Sequence, residues 1–203
     1  MYDEYISRGQ KGCIIFLVDQ SMAMGQQGPT DGTKAEFAAD LVNRTLTNVV
    51  INCGRGHFIA DVFDVGIIGH GLDVGPAFEG PLAFRMLVSI ADLVDSPLQL
   101  VKSQRMVPDG AGGILEQSVE FPVWLNAKAA GPTGISEAFS LAYDVAHDWI
   151  RDHPSSFPPI VFNICGGPFY QSLRSDADRL TNLSTSDGPV LLFNVILEGT
   201  RSR

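Results

Sequence analysis

The sequence has few cysteines and few basic residues, and it has no long apolar run. The cysteines number three and include no Cys-x-x-Cys pair: Cys13, Cys53 and Cys165. An odd count without that spacing does not suggest a disulfide framework. Two of the three lie in apolar stretches, where a free thiol behaves as a small apolar side chain. We therefore expect buried, unpaired thiols in a reducing compartment.

Positive charge is scarce. The chain has 14 Lys and Arg residues against 23 Asp and Glu residues, a formal net charge of −9, and no basic cluster. Nucleic acids and anionic membrane surfaces are poor candidates as partners, because each phosphate contact needs a cation. A basic protein surface or a bound cation fits this charge better.

Apolar runs are short throughout the chain. None approaches the roughly 20 residues that a membrane-spanning helix needs. The first twelve residues, MYDEYISRGQKG, are polar and lack the apolar core of a signal peptide. The sequence therefore predicts a cytoplasmic protein with no membrane association.

The sequence does contain alternating strand and helix patterns. At 203 residues we expect one domain over residues 1–203, with a less regular segment at about 75–130. Apolar runs predict strands at 12–18, 63–71, 160–165 and 190–197, and helical periodicity predicts helices at 33–50, 135–150 and 175–185. Thr33 with Glu36, and Ser175 with Asp178, have the spacing of a cap at the start of a helix. Within the irregular segment, 82–94 has a helical pattern and 114–125 a strand-like one. This order predicts an α/β fold, namely a doubly wound, mostly parallel, Rossmann-like sheet flanked by helices.

Ligands of open α/β sheets bind beyond the carboxyl ends of the strands, so the residues that follow each strand are the candidates for function. The first strand ends in Asp19, and Ser21 follows it. Thr133 stands in a Gly-Pro-Thr-Gly stretch directly before a helix. The strand at 160–165 leads into Gly166 and Gly167. His70, at another strand end, is interpreted as a loop histidine with one backbone contact.

Three stretches, IIFLVDQSMA, GPTGISEAFSLA and PIVFNICGG, carry a resemblance to the von Willebrand factor type A domain, bacterial intracellular type, over about residues 10–198. In that family three such loops form a metal-ion-dependent adhesion site for Mg²⁺ or Mn²⁺. The resemblance implies Asp19, Ser21 and Thr133 as metal ligands. It leaves one coordination position for an acidic side chain of a protein partner.

The chain departs from the family pattern at two positions. Ala23 stands where the family has a second serine, and Gly166 stands where it has a later aspartate. One carboxylate and two hydroxyls remain, and the loss of an anionic group costs a divalent cation much of its affinity. The site could bind Mg²⁺ or Mn²⁺ weakly, with waters or Asp31 helping. Alternatively, the metal arrives with the partner's carboxylate, or the fold works without metal.

In the metal-free alternative, the same residues have structural roles. Asp19 and Ser21 would then cap backbone N–H groups, and Thr133 would cap its helix. The three alternatives remain open from the sequence alone.

These features predict a protein–protein interaction module rather than an enzyme. The module presents the carboxyl-end face of its sheet to a protein partner. The family resemblance implies that the chain itself is a scaffold or chaperone-like partner of an ATPase or conflict system. One alternative is a hydrolase that uses Ser21 as its nucleophile, although Gly-x-Ser-x-Gly is absent around this residue. Another is a metal-free structural subunit.

Overall fold

A computed structural model describes residues 2–56, 58–108, 113–167 and 173–199. Its strands are β1 Gly12–Asp19, β2 Gly54–Arg55, β3 Phe58–Ile59, β4 Phe63–His70, β5 Val74–Pro76, β6 Val88–Ser89, β7 Gln99–Pro108, β8 Ile114–Val123, β9 Ile160–Cys165, β10 Ser184–Thr185, β11 Gly188–Pro189 and β12 Leu191–Ile196. Its helices are α1 Lys34–Cys53, α2 Ile90–Asp95, α3 Ile135–Asp152 and α4 Arg174–Thr181, with 3₁₀ turns at Met22–Gly25 and Gly80–Leu82.

The central sheet is mostly parallel and runs in the order β12-β9-β1-β4-β5, with β6 paired to the start of β4. Strands β12, β9, β1 and β4 pair in parallel, whereas β5 and β6 join β4 antiparallel. The four predicted strands are therefore confirmed. Strand β1 lies in the middle, and all eight of its residues are buried, which explains its continuous apolar run.

Both faces of the central strand pack against helices. Ile14, Phe16 and Val18 belong to a core cluster that includes residues of α1. The alternate residues of β1 belong to a second cluster that includes residues of α3 and α4. The coarse prediction, a mixed α/β fold with a mostly parallel sheet flanked by helices, is confirmed.

Helix starts agree with the sequence only in part. The predicted capping box of α1 is present, because the Thr33 side chain accepts from the Glu36 N–H and the Glu36 carboxylate accepts from the Thr33 N–H. In contrast, the cap expected from Ser175 is wrong, since α4 begins at Arg174 with Leu173 in the N-cap position. The same helix ends at Thr181, short of residue 185, because Ser184–Thr185 pair with Gly188–Pro189.

The less regular middle segment contains a long hairpin. Strands β7 and β8 pair antiparallel over ten residues each, which confirms the strand predicted at 114–125. The helix predicted over 82–94 covers only Ile90–Asp95. Val88–Ser89 instead extend and pair with β4, so a tertiary contact overrides a local helical pattern.

The cysteines of the chain are free and buried, as expected. Across the parts that the structure describes, no helix is long and apolar enough to cross a membrane. A cytoplasmic location stays a prediction from the sequence.

Candidate functional site

The candidate site lies where β1 and β4 end side by side. Asp19 and His70 are the last residues of these strands and pair in register. Directly after them, the Gln20 N–H donates to the His70 carbonyl at 2.7 Å. The parallel arrangement therefore brings a carboxylate and an imidazole to one edge of the sheet.

The Asp19 carboxylate is buried and is oriented by backbone donors. Its Oδ1 accepts from the Ser21 N–H at 2.9 Å, and its Oδ2 accepts from the Gly166 N–H at 3.4 Å. The backbone-capping role expected for Asp19 is therefore present. Because Gly166 directly follows β9, this one carboxylate also links the ends of two neighbouring strands.

Thr133 joins the same site through His70. Its Oγ1 lies 3.3 Å from Nδ1 of His70, and that nitrogen lies 4.0 Å from Oδ1 of Asp19. The helix cap expected from Thr133 is wrong, since Gly134 occupies the N-cap of α3 and no side chain caps it. The Thr133 hydroxyl thus faces the imidazole rather than the helix end.

His70 is more than the loop residue with one backbone contact that the sequence suggested. It ends β4 and is fully buried. Burial lowers the pKa of its imidazole below 6.5, and the negative charges of Asp19 and Glu137 oppose this only in part. Its Nε2 has no hydrogen-bond partner among the described residues. The sequence signal was a histidine at the end of a predicted strand, and only the structure shows that it lies in register with Asp19.

We expect this buried imidazole to make the protein less stable as the pH falls from 7.5 to 5.5. The unfolded chain takes up the His70 proton near pH 6.5, whereas the folded protein takes it up only at lower pH, so the proton favours unfolding. Between these pKa values, the free energy of unfolding should fall by up to about 1.4 kcal/mol per pH unit. Urea unfolding at several pH values measures this slope.

The test variant is His70→Asn. The matched control is His147→Asn, at an exposed position on α3. His70→Asn should flatten the slope, and His147→Asn should leave it unchanged. A wild-type slope that survives in His70→Asn would show that other groups cause the acid sensitivity.

Ser21 contributes a hydroxyl without a described protein partner. The residue is 4 % exposed and precedes the 3₁₀ turn Met22–Gly25, yet its side chain caps no N–H of that turn. The capping role expected for Ser21 is therefore not observed.

Lys34 and Met24 fill the space beside Gly166. A Cβ on Gly166 would lie 2.7 Å from the Met24 sulfur and 3.3 Å from Cδ of Lys34. The Lys34 ammonium donates to the Gly166 carbonyl at 2.6 Å and to Oε1 of Gln26 at 3.2 Å. An aspartate at position 166 would require both side chains to move. Nothing in the sequence pattern pointed to Lys34.

Two exposed apolar side chains flank these polar residues. Met22 and Leu72 are each 72 % exposed and follow Ser21 and His70 closely in the chain. Gly131 joins their loops, because its carbonyl accepts from the Met22 N–H at 2.9 Å and a Cβ on it would lie 2.5 Å from Cα of Leu72. The carboxyl-end face is defined here by six residues: Asp19, Ser21, Met22, His70, Leu72 and Thr133.

No protein-family model matches this chain, and a search of curated proteins finds no match either. The function therefore has to be argued from the chemistry of the carboxyl-end face.

Proposed function

We propose that this chain is a protein–protein interaction module that binds its partner at the carboxyl-end face. The observation that carries the proposal is the pair of exposed apolar side chains, Met22 and Leu72, beside buried polar groups. Protein interfaces characteristically combine apolar contacts that exclude water with a few oriented polar groups. The Asp19 carboxylate, which two backbone N–H groups orient, is such a group, and the Ser21 hydroxyl beside it has no described partner.

We also propose that the fold is the doubly wound arrangement of a von Willebrand factor type A domain. Support comes from the central position of β1, which ends in Asp19, and from the Thr133 loop at the same edge of the sheet. Helices α1 and α3 contribute to the core clusters on opposite faces of β1.

A divalent cation fits this face only weakly. Asp19, Ser21 and Thr133 would hold Mg²⁺ or Mn²⁺, and the ion would supply a Lewis acid for an oxygen ligand of the partner. Asp19 is the only carboxylate in this set, and the Lys34 ammonium donates to the carbonyl of Gly166, whose N–H donates to Asp19. The expected helper Asp31 is exposed and forms no ion pair with the described residues. The described residues also contain no cluster of three or more His, Cys, Asp or Glu suited to a metal ion.

Binding fits the geometry better than hydrolysis by Ser21. A serine nucleophile needs a histidine base whose other ring nitrogen is oriented by a third group. Thr133 and Asp19 both approach Nδ1 of His70, and no described histidine hydrogen-bonds to the Ser21 hydroxyl.

The experiment is affinity capture from an extract of the native source. It compares the wild-type protein with the double variant Met22→Asp/Leu72→Asp. The double variant should capture a partner of this face in an amount at least about tenfold lower than the wild type does. The reason is that two carboxylates would be buried against the partner without counter-charges. Quantitative mass spectrometry of the captured proteins measures this loss. Parallel captures in EDTA and in Mg²⁺ show whether the weak cation contributes.

The matched control is Ile51→Asp, at an exposed apolar residue near the far end of α1. It should capture the same protein as the wild type. Equal capture by the wild type and Met22→Asp/Leu72→Asp would rule out this face as the interface. Folding of each variant is checked by circular dichroism.

A further inference from the structure

Lys34 is a buried cation in an unfavourable place. The residue is 7 % exposed and is the first residue of α1. The N-terminus of a helix carries a partial positive charge, so an ammonium group there is repelled rather than stabilised. A cation in this position needs compensation from elsewhere.

The described residues compensate this ammonium only in part. Both of its hydrogen bonds go to neutral oxygens, the Gly166 carbonyl and the Gln26 side-chain amide. No carboxylate of the described residues lies within 4.0 Å of it. An ammonium group has three N–H donors, so one donor of Lys34 has no protein acceptor in the part of the chain described.

Lys34 also lines a pocket of about 420 Å³ between residues 166–167, which follow β9, and residues 196–199, which comprise the end of β12 and the loop after it. The backbone N–H groups of Gly167 and Gly199 donate to no other described residue. The residues that line this pocket therefore include one ammonium donor and two amide donors without a described acceptor. Such sets of donors bind anions.

The surrounding charges indicate which anion fits. Glu198 lies in the pocket wall, and the Asp19 carboxylate accepts from the N–H of Gly166, another residue of that wall. These negative charges disfavour a dianionic phosphate. A carboxylate carries one charge on two oxygens, which match one ammonium and the neighbouring amides.

We propose that this pocket binds a carboxylate of the protein partner through Lys34, without a metal ion. The pocket itself follows from the geometry, whereas the protein source of the carboxylate rests on the proposed function. In the bound state, the carboxylate neutralises the buried ammonium and accepts its third N–H.

The experiment is an NMR titration of the ¹⁵N-labelled protein in EDTA with sodium acetate or with the side-chain carboxylate of N-acetylglutamic acid amide. Sodium chloride at equal ionic strength is the reference. The backbone amides of Gly167 and Gly199 should shift saturably with both carboxylates and not with chloride. Lys34→Met should lose this saturation, whereas Lys128→Met, at an exposed lysine, should retain it.

A second variant tests the pocket without altering the buried lysine. Glu198 is exposed, so Glu198→Gln should fold normally and bind acetate about threefold more tightly, because a nearby negative charge is removed. A weaker or unchanged affinity in Glu198→Gln would contradict the electrostatic account of the pocket.

Three results would overturn the proposal: no saturable shift in the wild type, an equal shift in Lys34→Met, or tighter binding of inorganic phosphate than of acetate. If acetate binds and N-acetylglutamic acid amide does not, the inference that the carboxylate comes from a protein side chain is wrong. The titration is independent of protein capture. A failed capture beside a successful titration therefore refutes the proposed function and the protein source of the carboxylate, but not the pocket. A successful capture beside a failed titration refutes only the Lys34 pocket.

Discussion

Replacement of Asn43 by alanine is expected to lower the free energy of unfolding by about 2–4 kcal/mol, because it would leave buried polar groups without partners. The Asn43 side chain donates to the Leu125 carbonyl at 2.9 Å, and its Oδ1 accepts from the N–H groups of Trp124 and Leu125 at 2.9 and 3.3 Å. These bonds attach α1 to the chain that leaves the β7–β8 hairpin.

Urea unfolding measures the loss, and amide hydrogen exchange locates it. The amides of Trp124 and Leu125 should lose protection more than those of β1. The matched control is Asn48→Ala, at an exposed asparagine of the same helix, which should change stability by less than about 0.5 kcal/mol. A similar small change in Asn43→Ala would mean that water replaces the side chain at little cost.

Gly131→Ala is expected to disrupt the carboxyl-end face and to cost about 2–3 kcal/mol of stability. Gly131 has φ +72°, a conformation that alanine adopts at a cost, and a Cβ there would lie 2.5 and 2.7 Å from Cα and N of Leu72. Both contacts are to backbone, so a change of side-chain rotamer cannot relieve them. The Leu72 loop would have to move away from Met22.

Thermal unfolding and amide chemical shifts test this prediction together. The amides of Met22, Leu72 and Thr133 should shift, and capture of the partner should weaken. Gly75→Ala is the control, because a Cβ on this residue of β5 meets no atom within 4 Å. Wild-type stability and shifts in Gly131→Ala would show that the two loops are not held together as the structure indicates.

Local sequence patterns were sufficient for most elements of the central fold. The apolar run that became β1 is buried at every position, and the Thr33–Glu36 spacing formed the capping box that begins α1. Local patterns failed where pairing with another strand determined the backbone conformation. The helical pattern before Ile90 gave way to the pairing of Val88–Ser89 with β4.

The candidate site shows the same division. Asp19 could be predicted because it ends a buried strand, and the carboxyl ends of parallel strands meet at one edge of a sheet. The positions of His70 and Lys34 in the site could not be predicted from the sequence. His70 contacts Thr133, which is 63 residues away in the chain, and Lys34 contacts Gly166, which is 132 residues away.

By itself the sequence determined the α/β class, the central strand and the candidate residues Asp19, Ser21 and Thr133, because hydrophobic period and strand ends are local properties. Only the tertiary structure decided what surrounds them. It placed the His70 imidazole between the Thr133 hydroxyl and the Asp19 carboxylate, and it put Lys34 and Met24 where a side chain on residue 166 would stand. The charges and free donors of a site are set by residues far apart in the chain, and these meet only when the sheet has formed.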